Sequence, residues 1–109
     1  MSDPKPVPTL VIYRPKPGKD KEMQPLVEKH WPTLNRLGLV TKEPAKIWRA
    51  TGKDGRPYFV EIFSWKEQGA SDVAHQTPEV MSVWEPMGAI LEDLQIATIE
   101  PVAPSSAKA

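Results

Sequence analysis

Asp54-Gly55 lies between two runs rich in β-branched and aromatic residues, 45–51 and 58–65. Asp-Gly is a preferred pair for a two-residue type I′ hairpin, in which both central residues take positive φ. No other feature constrains the fold as much. It predicts two antiparallel strands, neighbours in one sheet, at the middle of the chain. A two-residue turn also predicts a register. Ile47 would face Ile62, Trp48 would face Glu61 and Arg49 would face Val60. One face of the hairpin would then carry Ile47, Arg49, Tyr58, Val60 and Ile62. The other would carry Trp48, Phe59, Glu61, Phe63 and Trp65, because side chains alternate along a strand. Both faces are mostly apolar, so both need a cover.

The flanking segments supply part of it. Residues 9–14, Thr-Leu-Val-Ile-Tyr-Arg, read as a strand. Met23, Leu26, Val27, Trp31, Leu34 and Leu37 recur at helical spacing, and Gly38 is a stop signal behind them. Pro25 is expected at the helix start. Pro32 is expected to kink the helix, since it cannot bond to the carbonyl of Glu28. Residues 71–75 read as a helical turn. Thr77 then reads as an N-cap, with Pro78 at the first helical position and Glu79 in the first turn. Val80, Trp84, Met87, Leu91 and Leu94 form the next apolar stripe, kinked at Pro86. A strand over 95–102 closes the order, with Ile96 and Thr98 on one side.

The order β-α-β-β-α-β predicts an α+β, ferredoxin-like fold with an antiparallel sheet. Right-handed crossovers place both helices on one face. A second subunit, sheet against sheet, is the simplest cover for the other. Residues 9–102 are read as one domain, 1–8 as a Pro-rich arm and 103–109 as a tail.

Several function classes fall away. Fourteen Lys plus Arg balance fourteen Asp plus Glu, so nothing draws the chain generally to nucleic acid or to an anionic membrane. The absence of cysteine excludes disulfides, thiolate metal sites and a cysteine nucleophile. Two histidines 45 residues apart, without an evident third ligand, predict no metal site. No loop has the glycine pattern of a phosphate cradle. No apolar run approaches the ~20 residues of a membrane span, and no signal-peptide core is evident, so the expectation is a cytoplasmic protein.

The motif Glu61-x-Phe63-x-Trp65, the histidine ten residues later (His75), and the run Thr77-Pro78-Glu79-Val80 followed by Trp84-Glu85-Pro86 are similar to the antibiotic biosynthesis monooxygenase family of the dimeric α/β barrel group. Pro15-Lys16-Pro17-Gly18-Lys19 after the first strand also resembles that family. The resemblance covers roughly residues 9–102. It implies a homodimer whose sheets pack into a barrel, with a pocket in each subunit between sheet and helices. Some members oxidise polyaromatic substrates with O₂ and no metal or prosthetic group; others degrade haem. The haem branch places its histidine ligand where this chain has Trp84, and its opening-strand Asn where Tyr13 or Arg14 stands. Haem held in that way is not expected, and no cofactor is assigned.

Candidate residues follow. His75 has the side-chain type of a general base or proton shuttle; its competing role is structural, before the helix. His30 reads as a surface or structural residue. Glu61, mid-strand among aromatics, needs a partner or a proton. Arg14 is the first candidate partner and Arg49 the second, against a role as catalytic acid or base. Trp48, Phe63, Trp65 and Trp84 could wall a slot for a flat ligand, or form core. Tyr13 and Tyr58 could donate to a ligand oxygen, and Arg14 is assigned to the same ligand site. The expected activity is that of a cofactor-independent monooxygenase acting on a small aromatic or quinol-type molecule. The alternative is a non-catalytic dimeric module that binds a small ligand.

Overall fold

The computed structural model describes residues 5–105. Parts of the expected arm and tail, 1–4 and 106–109, lie outside the described residues. The elements are β1 (Val7–Pro15), α1 (Asp20–Arg36), β2 (Lys46–Thr51), β3 (Pro57–Trp65), α2 (Ala70–His75), α3 (Pro78–Ile90) and β4 (Leu91–Thr98). The four strands form one antiparallel sheet in the order β2-β3-β1-β4. This is the α+β, ferredoxin-like arrangement expected from the element order. Val7 and Pro8, assigned to the arm, are already strand.

The central strands alternate strictly. Thr9, Val11 and Tyr13 of β1 and Phe59, Glu61, Phe63 and Trp65 of β3 are buried, and the residues between them are half-buried. The buried set packs on Met23, Val27 and Leu34 of α1 and on Val80, Val83 and Met87 of α3. The half-buried set, which includes Leu10, Ile12, Val60 and Ile62, forms the face turned away from the helices.

The hairpin register differs from the expectation by one residue. Asp54 does not take positive φ; only Gly55 does, at 81°. A type I′ turn is therefore not formed. Gly55 N–H donates to the Gly52 carbonyl at 2.9 Å, and Gly52 N–H donates to the Arg56 carbonyl at 2.9 Å. This is a three-residue loop, a type I turn closed by a left-handed glycine. Asp54 Oδ1 accepts from the Arg56 N–H at 2.9 Å and holds the loop. The extra residue pairs Ile47 with Glu61, Trp48 with Val60 and Arg49 with Phe59. A one-residue slip moves every side chain of a strand to the other face. Trp48 is thus on the outer face, 49% exposed, and not beside Phe63 and Trp65. Ile47 and Arg49 are on the helix side, where the Arg49 guanidinium bonds Asp20 at the start of α1 at 2.6 Å.

The second difference is at the junction of α3 and β4. Leu91 and Leu94 are strand residues, not the end of a helical stripe. Leu91 is already extended (φ −82, ψ 133), and Leu94 pairs with Tyr13. Lys16 N–H donates to the Ile90 carbonyl at 2.8 Å. The free edge of β1 needs hydrogen-bond partners along its length, and the chain leaves the helix early to supply them.

Both longer helices run unbroken across their prolines, Pro25 and Pro32 in α1 and Pro86 in α3. Pro25 lies within α1 rather than at its start. Thr77 occupies the N-cap position of α3, but its hydroxyl donates back to the Val73 carbonyl at 2.7 Å and caps no N–H of α3. Gly38 (φ 73) ends α1, letting Leu39 N–H reach back to the Leu34 carbonyl at 3.0 Å.

Candidate functional site

A cavity of about 480 Å³ lies between the sheet and the helices. Its aromatic wall is Phe63 and Trp65 from β3 and Trp84 from α3. Phe63 and Trp65 pack edge to face, with centroids 5.1 Å apart. Trp84 and Met87 line the space rather than fill it. On the β4 side the wall includes Leu94 and Ile96, which are 43% and 65% exposed. Neither edge strand is buried as the central strands are, so the cavity is open toward β4.

Behind the aromatic wall lies a cluster of proton-handling groups. Glu61 is fully buried. Its Oε1 accepts from the Tyr13 hydroxyl at 2.6 Å and lies 2.8 Å from Nδ1 of His30. The Tyr13 oxygen and His30 Nδ1 are 3.3 Å apart. A carboxylate only accepts, so Nδ1 carries the hydrogen and donates it to Glu61. His30 Nε2 and Glu61 Oε2 are buried without a protein partner. The His30 ring forms part of the cavity wall, with Phe63 and Trp84 at centroid distances of 5.7 and 6.1 Å.

Burial, and then the charge and hydrogen bond of Glu61, push the Tyr13 hydroxyl well above the ordinary tyrosine value of 10.0. A raised folded pKa means that the protonated form is favoured by folding. The support from Tyr13 is therefore complete below about pH 10 and is lost as pH rises beyond it. Tyr13→Phe is expected to cost about 1 kcal/mol at neutral pH, the worth of one buried hydrogen bond. It is also expected to flatten the alkaline fall in Tm, which melts from about pH 8 to about pH 11 would register.

His75, the last residue of α2, is exposed at the cavity rim. Its Nδ1–H donates to the Ser71 carbonyl at 2.7 Å, and its ring meets Trp84 edge-on at 4.7 Å. Tyr13, Phe63, Trp65, Trp84 and His75 thus all border one space, with Glu61 directly behind Tyr13 and His30. Arg14 and Trp48 do not border it. Arg14 follows Tyr13 on β1 and therefore faces the other way, over the Tyr58 ring at 4.6 Å. It is not the partner of Glu61, and neither is Arg49.

His30, read as a surface or structural residue, is buried and borders the cavity, a place the sequence reading did not assign it. The signal was present: Met23, Val27, His30 and Leu34 follow one another at four, three and four residues, a buried stripe that includes the histidine. Among the described residues, no three His, Asp or Glu side chains gather as a metal-binding group, and no helix is long and apolar enough to cross a membrane.

No family model matches the chain, and no curated protein matches its sequence. Solved structures do match over nearly the whole length. One is an antibiotic biosynthesis monooxygenase, 15% identical over 89% of this chain and 99% of that one, with a TM-score of 0.68. Another is a variant of SnoaB, a cofactor-independent oxygenase from Streptomyces nogalater, 15% identical over 92% and 98%, with a TM-score of 0.66. A third is Rv0793 from Mycobacterium tuberculosis, 16% identical over 94% and 100%, with a TM-score of 0.60. At these identities the likeness is one of backbone architecture, and the chain has the ferredoxin-like α+β fold of the antibiotic biosynthesis monooxygenase structures.

Proposed function

We propose that the cavity binds a small aromatic or quinol-type molecule and promotes its oxygenation by O₂ without a cofactor. The observation that carries this reading is the composition of the wall: three large aromatic side chains facing one buried cluster of proton-handling groups. The volume, about 480 Å³, is within the ~300–1,000 Å³ common for small-molecule sites. Offset or edge-on ring contacts add ~0.5–1.5 kcal/mol each beyond burial. The shared fold with SnoaB, described as a cofactor-independent oxygenase, supports the same reading.

The chemistry asks little of the protein. A neutral aryl ring reacts slowly with O₂; loss of a hydroxyl proton raises its electron density and removes that obstacle. In a quinol, one oxygen atom enters at a ring carbon and the other leaves as water. The quinol supplies the electrons and becomes a hydroxyquinone. His75 at the rim and Glu61 behind Tyr13 and His30 are the proposed acid–base residues. Trp65 and Trp84 would hold the ring and keep water from it. The outer sheet face, with Leu10, Ile12, Val60 and Ile62, is proposed to pack on a second copy of the chain.

A non-catalytic binding module would share the cavity but consume no oxygen. An oxygen electrode separates the two. With a panel of quinols and phenols, uptake matched by hydroxyquinone formation from the quinols and quinone formation from the phenols is expected. His75→Ala should slow it at least about a hundredfold, the lower end of acid–base contributions. Binding without uptake across the panel would leave the module as the function.

A further inference from the structure

The cluster behind the aromatic wall ends in an atom that the fold does not use. Glu61 fixes the His30 ring through Nδ1 at 2.8 Å, with the Tyr13 oxygen 3.3 Å from the same nitrogen. Nε2 is left without a protein partner, in a side chain only 5% exposed. A buried nitrogen in that state costs stability unless something bonds to it. Nε2 itself is covered, but its ring borders the cavity beside Phe63 and Trp84, so a ligand that shifts those rings can present that partner.

We propose that His30 Nε2 receives the proton of an aryl hydroxyl, so that the cavity selects phenols and holds them as phenolates. The proposal rests on the reading of the cavity as an aromatic-ligand site. In the step, the ligand O–H bond breaks and an Nε2–H bond forms. The electron pair stays on the ligand oxygen, and no oxidation or reduction occurs. The products are a phenolate and an imidazolium whose Nδ1–H remains on the Glu61 carboxylate. A carboxylate behind an imidazole fixes the tautomer and stabilises the charge that forms. Tyr13, donating to the same oxygen at 2.6 Å, holds that carboxylate in place.

His75 is less suited to this step. It is exposed, and its Nδ1 rests on a neutral backbone carbonyl, which orients the ring without balancing a charge. The titratable groups near His30 are Tyr13 from β1, Glu61 from β3 and, across Trp84, His75 from α2. From α3 and β4 the cavity receives Trp84, Met87, Leu94 and Ile96, none of them charged.

The test is an anaerobic spectral titration with para-cyanophenol and its methyl ether, at about one unit below the phenol's own pKa. The bound phenol is expected to show the phenolate absorption band. The ether, which has no proton to give, should bind at least about tenfold more weakly, the loss of one hydrogen bond to a charged group. His30→Gln should abolish the band. The comparison of the two probes on the unaltered protein needs no variant to fold. A phenol bound in its neutral form, an ether bound equally well, binding of neither probe, or a folded His30→Gln that keeps the band would each overturn the proposal. Oxygen is absent, so a phenolate band with no oxygen uptake in air defeats only the oxygenase reading. Uptake in air without the band defeats only this one.

Discussion

Glu61→Ala is expected to destabilise the chain by about 3 kcal/mol, while Glu61→Gln should cost about 1 kcal/mol. The alanine leaves the Tyr13 hydroxyl and His30 Nδ1–H without an acceptor in a fully buried site. Each orphaned donor costs about 1–3 kcal/mol, and the emptied volume adds to that. Glutamine keeps an oxygen where Oε1 accepts both bonds. Its amide then stands where Oε2 has no protein partner. Urea unfolding of the three proteins measures the difference. Since a domain of this size is stable by only about 5–15 kcal/mol, the alanine loss is a large share of the total. If both variants fell within about 0.5 kcal/mol of the parent, the range of ordinary surface changes, the three side chains would not form an energetic unit.

Val60→Arg is expected to dissociate the proposed homodimer, raising its Kd at least about a hundredfold. Val60 lies at the middle of the outer face, between Ile12 on β1 and Trp48 on β2. A charge buried there without a partner costs several kcal/mol, and each ~1.4 kcal/mol is a factor of ten in Kd. Side chains on the helix side are untouched, so the monomer should remain folded, as circular dichroism would verify. Sedimentation velocity at micromolar concentration reads the outcome. An unaltered protein that sedimented as a monomer would show that the apolar face does not serve as this interface.

The site and the fold were legible to different depths. The strand and helix order followed from apolar spacing, because each element must bury one face and its period is written in the residues that do so. Phe63, Trp65 and Trp84 were legible for the same reason: large aromatics at inward positions become either core or cavity wall. The partners of Glu61 were not. Arg14 was the obvious ion pair by charge, but alternation along β1 puts Tyr13 on the side that Glu61 shares. His30 comes from a helix whose rotation about its own axis is set only when it packs.

By itself, the sequence determined the order of the elements, the single antiparallel sheet and the apolar character of both its faces. These depend on local period and turn chemistry, which a chain carries wherever it is read. Only the tertiary structure decided which face holds Trp48, where β4 begins and what meets Glu61. Asp54-Gly55 marked a turn correctly, but one loop residue more or fewer changes little in local energy. That residue nonetheless sends every side chain of β2 to the opposite face. The choice between the two registers rests on which set of side chains packs against the helices, and packing is a property of the assembled fold.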